Sequence, residues 1–597
     1  MALISKASLL MVPSTYEPGK LYNVLPSGNR APDNKGGAGY DQTRADFDFD
    51  RGSNAAATRI GSDGLLKKYQ ENLLLQSNNF GTTWGTDSST ITSGQSGYDG
   101  SSDAWLLSRT GANGRFGQVI SLNGLYTFSL YVKAGTKSFV KFGSSSGNVE
   151  AYFNLSNGSI TSSGSLIIEA KTTDVGNGWY RCQMTFSATL SYLNIWIADS
   201  NGNTTGTTGS ILIQSAQVES SLVATEYLNS TSVTAKAGVL IDLPRINYDA
   251  NGENGSLLLE PSRQQLVPFS EYAGTNNWGN PQRLTTIANQ TTSPEGLVNA
   301  TKVNETAVSG SHMFDYNFSA TSGVAYTFSY FAKAAERTQC YLFGYTDGGV
   351  FSGQRAIFDL SNGTITSNVG NGVADIKPYS NGWYRVSLTL TSTATSTAGY
   401  WGIGLALNSA TSYLGVASSG INMYGLQLES SATYPSSYIP NHGTSGGVTR
   451  AADVNTLSNA ISLDGDFALF WEGAVFEDDI MLYGSGTNAW YMNYTTSTGR
   501  IILDELTGRK VQAYLGSGTA PGVKTKILIK RVSGVHSVFA NGAKLTNNTS
   551  VNSTTTLSLS SMFWGFSSAF YKGLEVHQSY ISKTELTDAE CVTLTTL

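Results

Sequence analysis

The chain has 597 residues, enough for three or four domains that each bury a core. Charged residues make up only 13% of it and aromatics 11%, with 65 glycines, a balance that favours short strands and tight turns over helices. The net charge of −6 excludes an electrostatic nucleic-acid partner, which needs a basic face, and no stretch approaches the ~18 consecutive apolar residues of a membrane-spanning helix.

Residues 1–70 read as a section of their own. Two short apolar segments are split by Pro13 and Pro18, and Lys6 lies inside the first, with no small-residue cleavage site after it, so no secretory signal is expected. A polar, glycine-rich stretch follows. Then Asp46, Asp48 and Asp50 alternate with Phe47 and Phe49, placing two rings on one strand face and three carboxylates on the other. So charged a strand predicts an exposed edge or an oligomer contact. The section cannot form a large core alone and reads as a docking or assembly segment.

Residues 71–235 and 263–448 are two copies of one domain. YTFSLYVKAG (126–135) answers to YTFSYFAKAA (326–335), FNLSNGSIT (153–161) to FDLSNGTIT (358–366), NGWYRCQMTF (177–186) to NGWYRVSLTL (381–390), and AQVESS (216–221) to LQLESS (426–431). The offset stays at about two hundred residues, too long for a solenoid repeat. Alternation places Tyr126, Phe128, Leu130 and Val132 on one strand face. It also separates Tyr180, Cys182 and Met184 from Trp179, Arg181 and Gln183, without saying which set faces the core. Asn157-Gly158 and Asn177-Gly178 are turn signals, since both residue types tolerate positive φ. Short strands at this spacing predict a β-sandwich.

Residues 236–262 link the copies. Their Asn-Gly turns predict a hairpin that Pro244 and Pro261 should keep on a sheet edge.

Residues 449–597 do not match the repeats. Strands over 526–532 and 537–540 should pair across Ser533-Gly534, with a second tight turn at Asn541-Gly542. Ser582-x-x-Glu585 and Thr587-x-x-Glu590 have capping-box spacing and predict a short terminal helix. The expected fold is therefore all-β, three tandem β-sandwich (jelly-roll) domains after a small N-terminal segment.

No catalytic constellation emerges. Glu477, Asp478 and Asp479, or Asp504 and Glu505, are adjacent carboxylates, and neighbours in a strand point to opposite faces, unlike a glycosidase pair held across a cleft. GSSSG (143–147) and GTSGG (443–447) carry the GxSxG spacing in Ser/Gly-rich turns with no helical pattern after them. His312, His442, His536 and His577 have no metal-ligand spacing, and P-loop and dinucleotide fingerprints are absent. Cys182, Cys340 and Cys591 form no CxxC pair, which argues against a zinc site or disulfide framework and for small buried hydrophobes. No enzyme, cofactor or metal is expected. For sugar binding, where rings stack on the C–H faces of a saccharide, the candidates are Trp490, Tyr491 and Tyr494 beside a glycine-rich turn, and Trp84 and Trp278 at matched positions of the two copies. Tryptophans repeated in this way also suit core packing.

The runs DFDFDRGSNAAATRIGSDGLL (46–66), LPRINYDANGENGSLLLEPSRQQLVPFSE (243–271) and VTRAADV (448–454) resemble the connector phrases of modular tailed-phage tail-fibre and appendage proteins. In that family they join carbohydrate-binding-module-like jelly rolls to a lectin-like domain. The C-terminal VFANG hairpin and the LTDAE ending resemble a concanavalin A-like, laminin-G-like domain. The resemblance implies a virion structural protein, a tail or head fibre that adheres to host surface glycans. It further implies a homotrimer, with the N-terminal segment contacting other virion proteins and no membrane insertion. Release by lysis would account for an extracellular-type composition without an export signal. The alternatives are a secreted or surface carbohydrate-binding protein or depolymerase, and a non-binding spacer or capsid decoration protein.

Overall fold

The computed structural model describes residues 9–15, 47–52 and 56–597, apart from 146, 242, 275–276, 346–349, 352, 458–460, 478, 485–489, 506–507, 560–561 and 565–572. It is an all-β protein of antiparallel sheets packed as three sandwiches, with one short C-terminal α-helix among the described residues. No described helix is long and apolar enough to cross a membrane.

In the first sandwich two strands, Arg115–Ala134 and Trp179–Ala198, run twenty residues each and pair from Lys133↔Trp179 to Arg115↔Trp196. One half of this ribbon pairs with Gly209–Glu219 and Ile167–Gly176, the other with Gly85–Asp87 and Phe139–Gly143. The two halves thus supply the centres of opposite layers, which close over Phe116, Phe128, Leu130, Phe142, Met184 and Ile195. In the second copy the same strands are interrupted, as Met313–Ala320 with Ala325–Ala334 and Tyr384–Thr391 with Ser396–Ala406. Its layers are therefore separate sheets. The Asn-Gly turns form as expected, with Asn177 and Gly178 at φ 54° and 77° and Asn381 and Gly382 at 58° and 75°. Cys182 and Cys340 sit inside the two cores, where burial raises both thiols, that of Cys340 to about 12.

The repeated tryptophan faces away from the sandwich core in both copies and is covered by other parts of the chain. Cys182 and Met184 point inward, while Trp179 packs with Tyr131 and Ala104 on the outer face beneath Tyr98, whose ring stacks on Tyr131 at 3.7 Å. Trp383 packs with Phe331, Tyr424 and Tyr438 against Ile60 and Leu66, and its indole donates to the Thr292 carbonyl at 3.0 Å. Lys68 enters beside them, 2.9 Å from Glu271, and also contacts Glu295.

The third sandwich packs Phe467–Val475, Thr525–Val532, Val535–Ala540 and Leu574–Ser582 against Asp479–Gly484, Trp490–Thr495, Arg500–Glu505 and Gly508–Tyr514. Ile527 pairs with Ala540, and Ser533-Gly534 and Asn541-Gly542 turn with positive φ, as the sequence predicts. The helix Asp588–Thr595 is capped by Thr587, whose hydroxyl accepts from the Glu590 amide while the Glu590 carboxylate accepts from the Thr587 amide. Thr587→Ala should cost about 1 kcal/mol, read as a lower denaturation midpoint. The second expected box does not form, because Ser582 ends a strand and its hydroxyl donates to the Thr584 carbonyl.

Parts of 1–70 and 236–262 add strands to a sheet of the third sandwich. Leu9–Met11 and the hairpin of Ile246–Asn247 with Ser256–Leu259 both add to Leu574–Ser582, through Leu9↔Ile581 and Leu257↔Val576. Met11, Ile246, Leu257 and Leu259 then join the core of Trp471 and Ile529. The hairpin does lie at the sheet edge. The charged strand Phe47–Asp50, expected at an exposed edge or oligomer contact, pairs within the chain with Val454–Leu457.

The three connector phrases meet in one buried ion cluster. Asp453 takes Arg245 Nε at 3.1 Å, Arg51 Nη1 at 3.4 Å and the Glu260 amide at 2.9 Å. Glu260 takes Arg245 at 2.8 Å and Arg450 at 3.1 Å, and two donors of Ser437. All five charged side chains are at most 6% exposed. Every carboxylate oxygen is met by a donor, which is what lets such charges remain buried.

Candidate functional site

The two copies diverge most usefully on the outer face of one layer. On Gln339–Gly344, Cys340 and Leu342 point into the core, so Tyr341 and Phe343 point out, and Tyr345 continues the row. Directly opposite, on Ser396–Ala406, stand Gly404 beside Tyr341 and Gly402 beside Phe343. A Cβ at either glycine would collide with the facing ring, so the rings lie down over bare backbone. Centroids run 5.5 Å from Tyr341 to Phe343, 5.4 Å on to Tyr345, and 6.4 Å across to Tyr400.

This row floors two adjoining depressions that share Tyr345. One, of about 400 Å³, has Ser311, Arg355 and Thr411 at its walls, and the other, of about 620 Å³, has Asn280, Asp315, Tyr316 and Asn317. Arg355 donates to Thr411 Oγ1 at 3.0 Å and keeps its buried Nε without a partner among the described residues. Burial pushes the Asp315 carboxyl above its ordinary range. Burial likewise lifts Tyr316 to about 12, keeping it a neutral hydroxyl that donates to the Leu266 carbonyl at 3.2 Å. Asp315 is the one carboxylate among these described lining residues. The groove offers flat apolar rings with amide, carboxylate and guanidinium groups at the rim.

The first copy closes the same face. Lys141 and Gly143 replace Tyr341 and Phe343. Lys141 Nζ lies 4.5 Å over Trp196 and 5.5 Å from the centre of Tyr152, tied to Glu150 at 2.5 Å. Both rings are 5% exposed.

The aromatic candidates read from sequence fall elsewhere, and for four of them ligand stacking is corrected to core packing. Trp84 stacks on Phe116 at 5.0 Å and donates to the Leu75 and Gln76 carbonyls. Trp278 is fully buried and donates to the Phe269 carbonyl at 2.8 Å. Trp490 and Tyr494 lie in the third core at 1% exposure. Large rings beside turns fill these cores and leave no face for a sugar. Tyr491 is half-buried, and its hydroxyl donates to Asp504 at 2.5 Å, which Arg509 holds at 2.9 Å. Glu477 pairs with Arg263 at 2.7 Å, and Glu505 with Lys510 at 3.8 Å. Asp478 and the side chain of Asp479 lie outside the described residues. Among the described residues no helix follows either GxSxG run.

No family model and no curated protein matches the chain. Solved structures similar to it include carbohydrate-binding modules and laminin G domains. The CBM40 of the Ruminococcus gnavus IT-sialidase, bound to α2,6-sialyllactose, is 13% identical over 22% of this chain and 83% of its own, with a TM-score of 0.19. The LG1–3 region of the laminin α2 chain is 10% identical over 81% of this chain and 97% of its own, at 0.19. The CBM22 tandem of Paenibacillus barcinonensis Xyn10C is 13% identical over 64% and 99%, at 0.18. Scores this low do not make the chain a member of any of these groups.

Proposed function

We propose that the chain is a non-catalytic glycan-binding protein whose second sandwich holds a saccharide chain along the accessible rings of Phe343, Tyr345 and Tyr400, with Tyr341 buried at the foot of the row. The observation that carries this reading is the pairing of Tyr341 and Phe343 with Gly404 and Gly402, which lays those two rings over bare backbone and continues through Tyr345 and Tyr400 into one groove with hydrogen-bonding groups at its rim. Sugar C–H faces stack on such rings, while Asp315, Asn317 and Arg355 meet hydroxyls at the margins. Tyr345 is 37% exposed, so its truncation removes contact surface without opening a core.

The biological setting we infer is a tailed-phage fibre or appendage, located in the virion, trimeric, and adhering to host surface glycan. That setting rests on the connector phrases alone. Mass spectrometry of purified particles tests it, and absence of the chain from them would overturn it.

The binding reading is tested by screening the full-length protein against a glycan array and measuring affinity for the best ligand. The Tyr345→Ala/Tyr400→Ala double variant should bind at least about ten-fold more weakly, about 1.4 kcal/mol, with an unchanged unfolding temperature. Unaltered affinity in the double variant would move the site elsewhere. No binding to any glycan would leave the spacer reading.

A further inference from the structure

A second cavity, of about 140 Å³, lies where the second sandwich, the hairpin and the third sandwich meet. Its lining comes from all three, with Asp375, Lys377, Arg385 and Ser387 from the second sandwich, Asn247 from the hairpin, and Phe476 and Glu575 from the third sandwich. Asp375 pairs with Ser387 and Lys377 with Arg385 across one strand pair, so all four project from one sheet face. Asp375 and Lys377, at 46% and 55% exposure, form the solvent side. Tyr434 stacks on Phe476 at 5.2 Å and completes an aromatic wall.

The polar groups of this cavity are incompletely satisfied. The Tyr434 hydroxyl and Arg385 Nε are buried and have no hydrogen-bond partner among the described residues. Glu575 accepts from Asn247 at 3.2 Å, and His577 Nε2 stands 3.9 Å from its other oxygen. Burial raises its carboxyl above the ordinary range, and Lys377 and Asn247 offset only part of that. Buried polar atoms left open in a cavity with room for several waters call for a polar occupant.

Charge narrows the choice. Glu575, Asp375 and Glu260 oppose an anion, Glu260 already balanced by Arg245 and Arg450 and Asp375 by Lys377 at 3.7 Å. Lys377, 5.6 Å from the centre of the Phe476 ring, and Arg385 oppose a cation. What remains is a neutral, hydroxyl-rich ring, able both to donate to Glu575 and to accept from Tyr434 and Arg385. We propose that this interdomain cavity binds a single neutral pyranose, free or as the end of a neutral glycan, independently of the groove. Because three parts of the chain line it, the bound sugar braces their junction.

The test is isothermal titration calorimetry on the full chain carrying Tyr345→Ala/Tyr400→Ala, so that failure of the groove reading cannot affect the result. The probes are D-glucose, D-galactose, D-mannose and N-acetyl-D-glucosamine, with D-glucuronate and D-glucosamine as charged controls. The matching neutral trisaccharides show whether a chain end binds more tightly than the free sugar. At least one neutral sugar should bind saturably at one site per chain, at least ten-fold more tightly than either charged control. Glu575→Gln, and separately Ser387→Leu, which fills the cavity, should each weaken it at least ten-fold while the unfolding temperature without sugar stays within a few degrees. Absence of binding by every neutral sugar, equal binding of a charged control, or affinity unchanged in both variants would overturn the proposal.

Discussion

Asp453→Ala is expected to destabilise the protein by about 3–5 kcal/mol, the cost of leaving buried cations without their counter-ion. Asp453 is the acceptor that Arg51 and Arg245 share, and it also takes the Glu260 amide. Removing it leaves Arg245 with Glu260 as its one remaining carboxylate and strips Arg51 of its ion-pair partner. Arg51 is already pulled below its ordinary value, by burial first and then by the neighbouring Arg245 and Arg450 guanidiniums, with Asp453 opposing. Because the residues come from three connectors, the damage should appear as loss of coupling between sandwiches. Differential scanning calorimetry should show the second and third sandwiches melting apart and earlier. Asp453→Asn keeps an oxygen acceptor and the side-chain volume but loses the charge, so its effect should lie between. A loss below about 1 kcal/mol in Asp453→Ala would mean that apolar packing, not this cluster, joins the domains.

Local chemistry was legible in the sequence wherever a residue's immediate neighbours decide its structure. The Asn177-Gly178 and Ser533-Gly534 turns, the alternation through Phe128 and Leu130, and the Thr587 cap each depend on a few adjacent positions, and each forms as read. Long-range pairing was not legible. Arg51 and Asp453 are about four hundred residues apart, and nothing near either says that it is buried. The same applies to the aromatic groove. Tyr341 and Phe343 look like ordinary strand residues until Gly402 and Gly404 are set beside them, some sixty positions later. A Tyr-x-Phe-x-Tyr run paired with a Gly-x-Gly run is the signal that could have found the site. The tryptophans drew attention instead because they repeat. Repetition marked the scaffold, since Trp179 and Trp383 are both covered by the chain itself.

Acid should loosen the third sandwich before it reaches the connector cluster, and His536 sets the order. The imidazole is fully buried, packs against Phe467 with centroids 6.3 Å apart, and is held down to about 4, by burial first and by Arg531 next. In the unfolded chain it titrates at its ordinary 6.5. Between those values the unfolded chain binds the proton and the folded chain does not. The stability is therefore fully present above pH 6.5 and is lost as pH falls towards 4, by about 3 kcal/mol. His577, lowered by burial and then by Lys524, acts in the same direction. Glu260 acts in a lower window. Burial would raise it, but Arg450 and Arg245 outweigh that and hold it at about 2, so its contribution is complete above pH 4.5 and lost as pH falls towards 2. Glu219, Glu295 and, in the third sandwich itself, Glu575, all raised by burial, have the opposite sign, since the folded state takes up their protons first and gains stability as pH falls towards 4.5. Unfolding temperature measured from pH 8 to 3 should therefore fall first for the transition of the third sandwich. In His536→Leu most of the slope between pH 6.5 and 4 should vanish, while the fall below pH 4.5 persists. A slope unchanged in that variant would place the acid-sensitive group elsewhere in the third sandwich, with His577→Leu as the next residue to test.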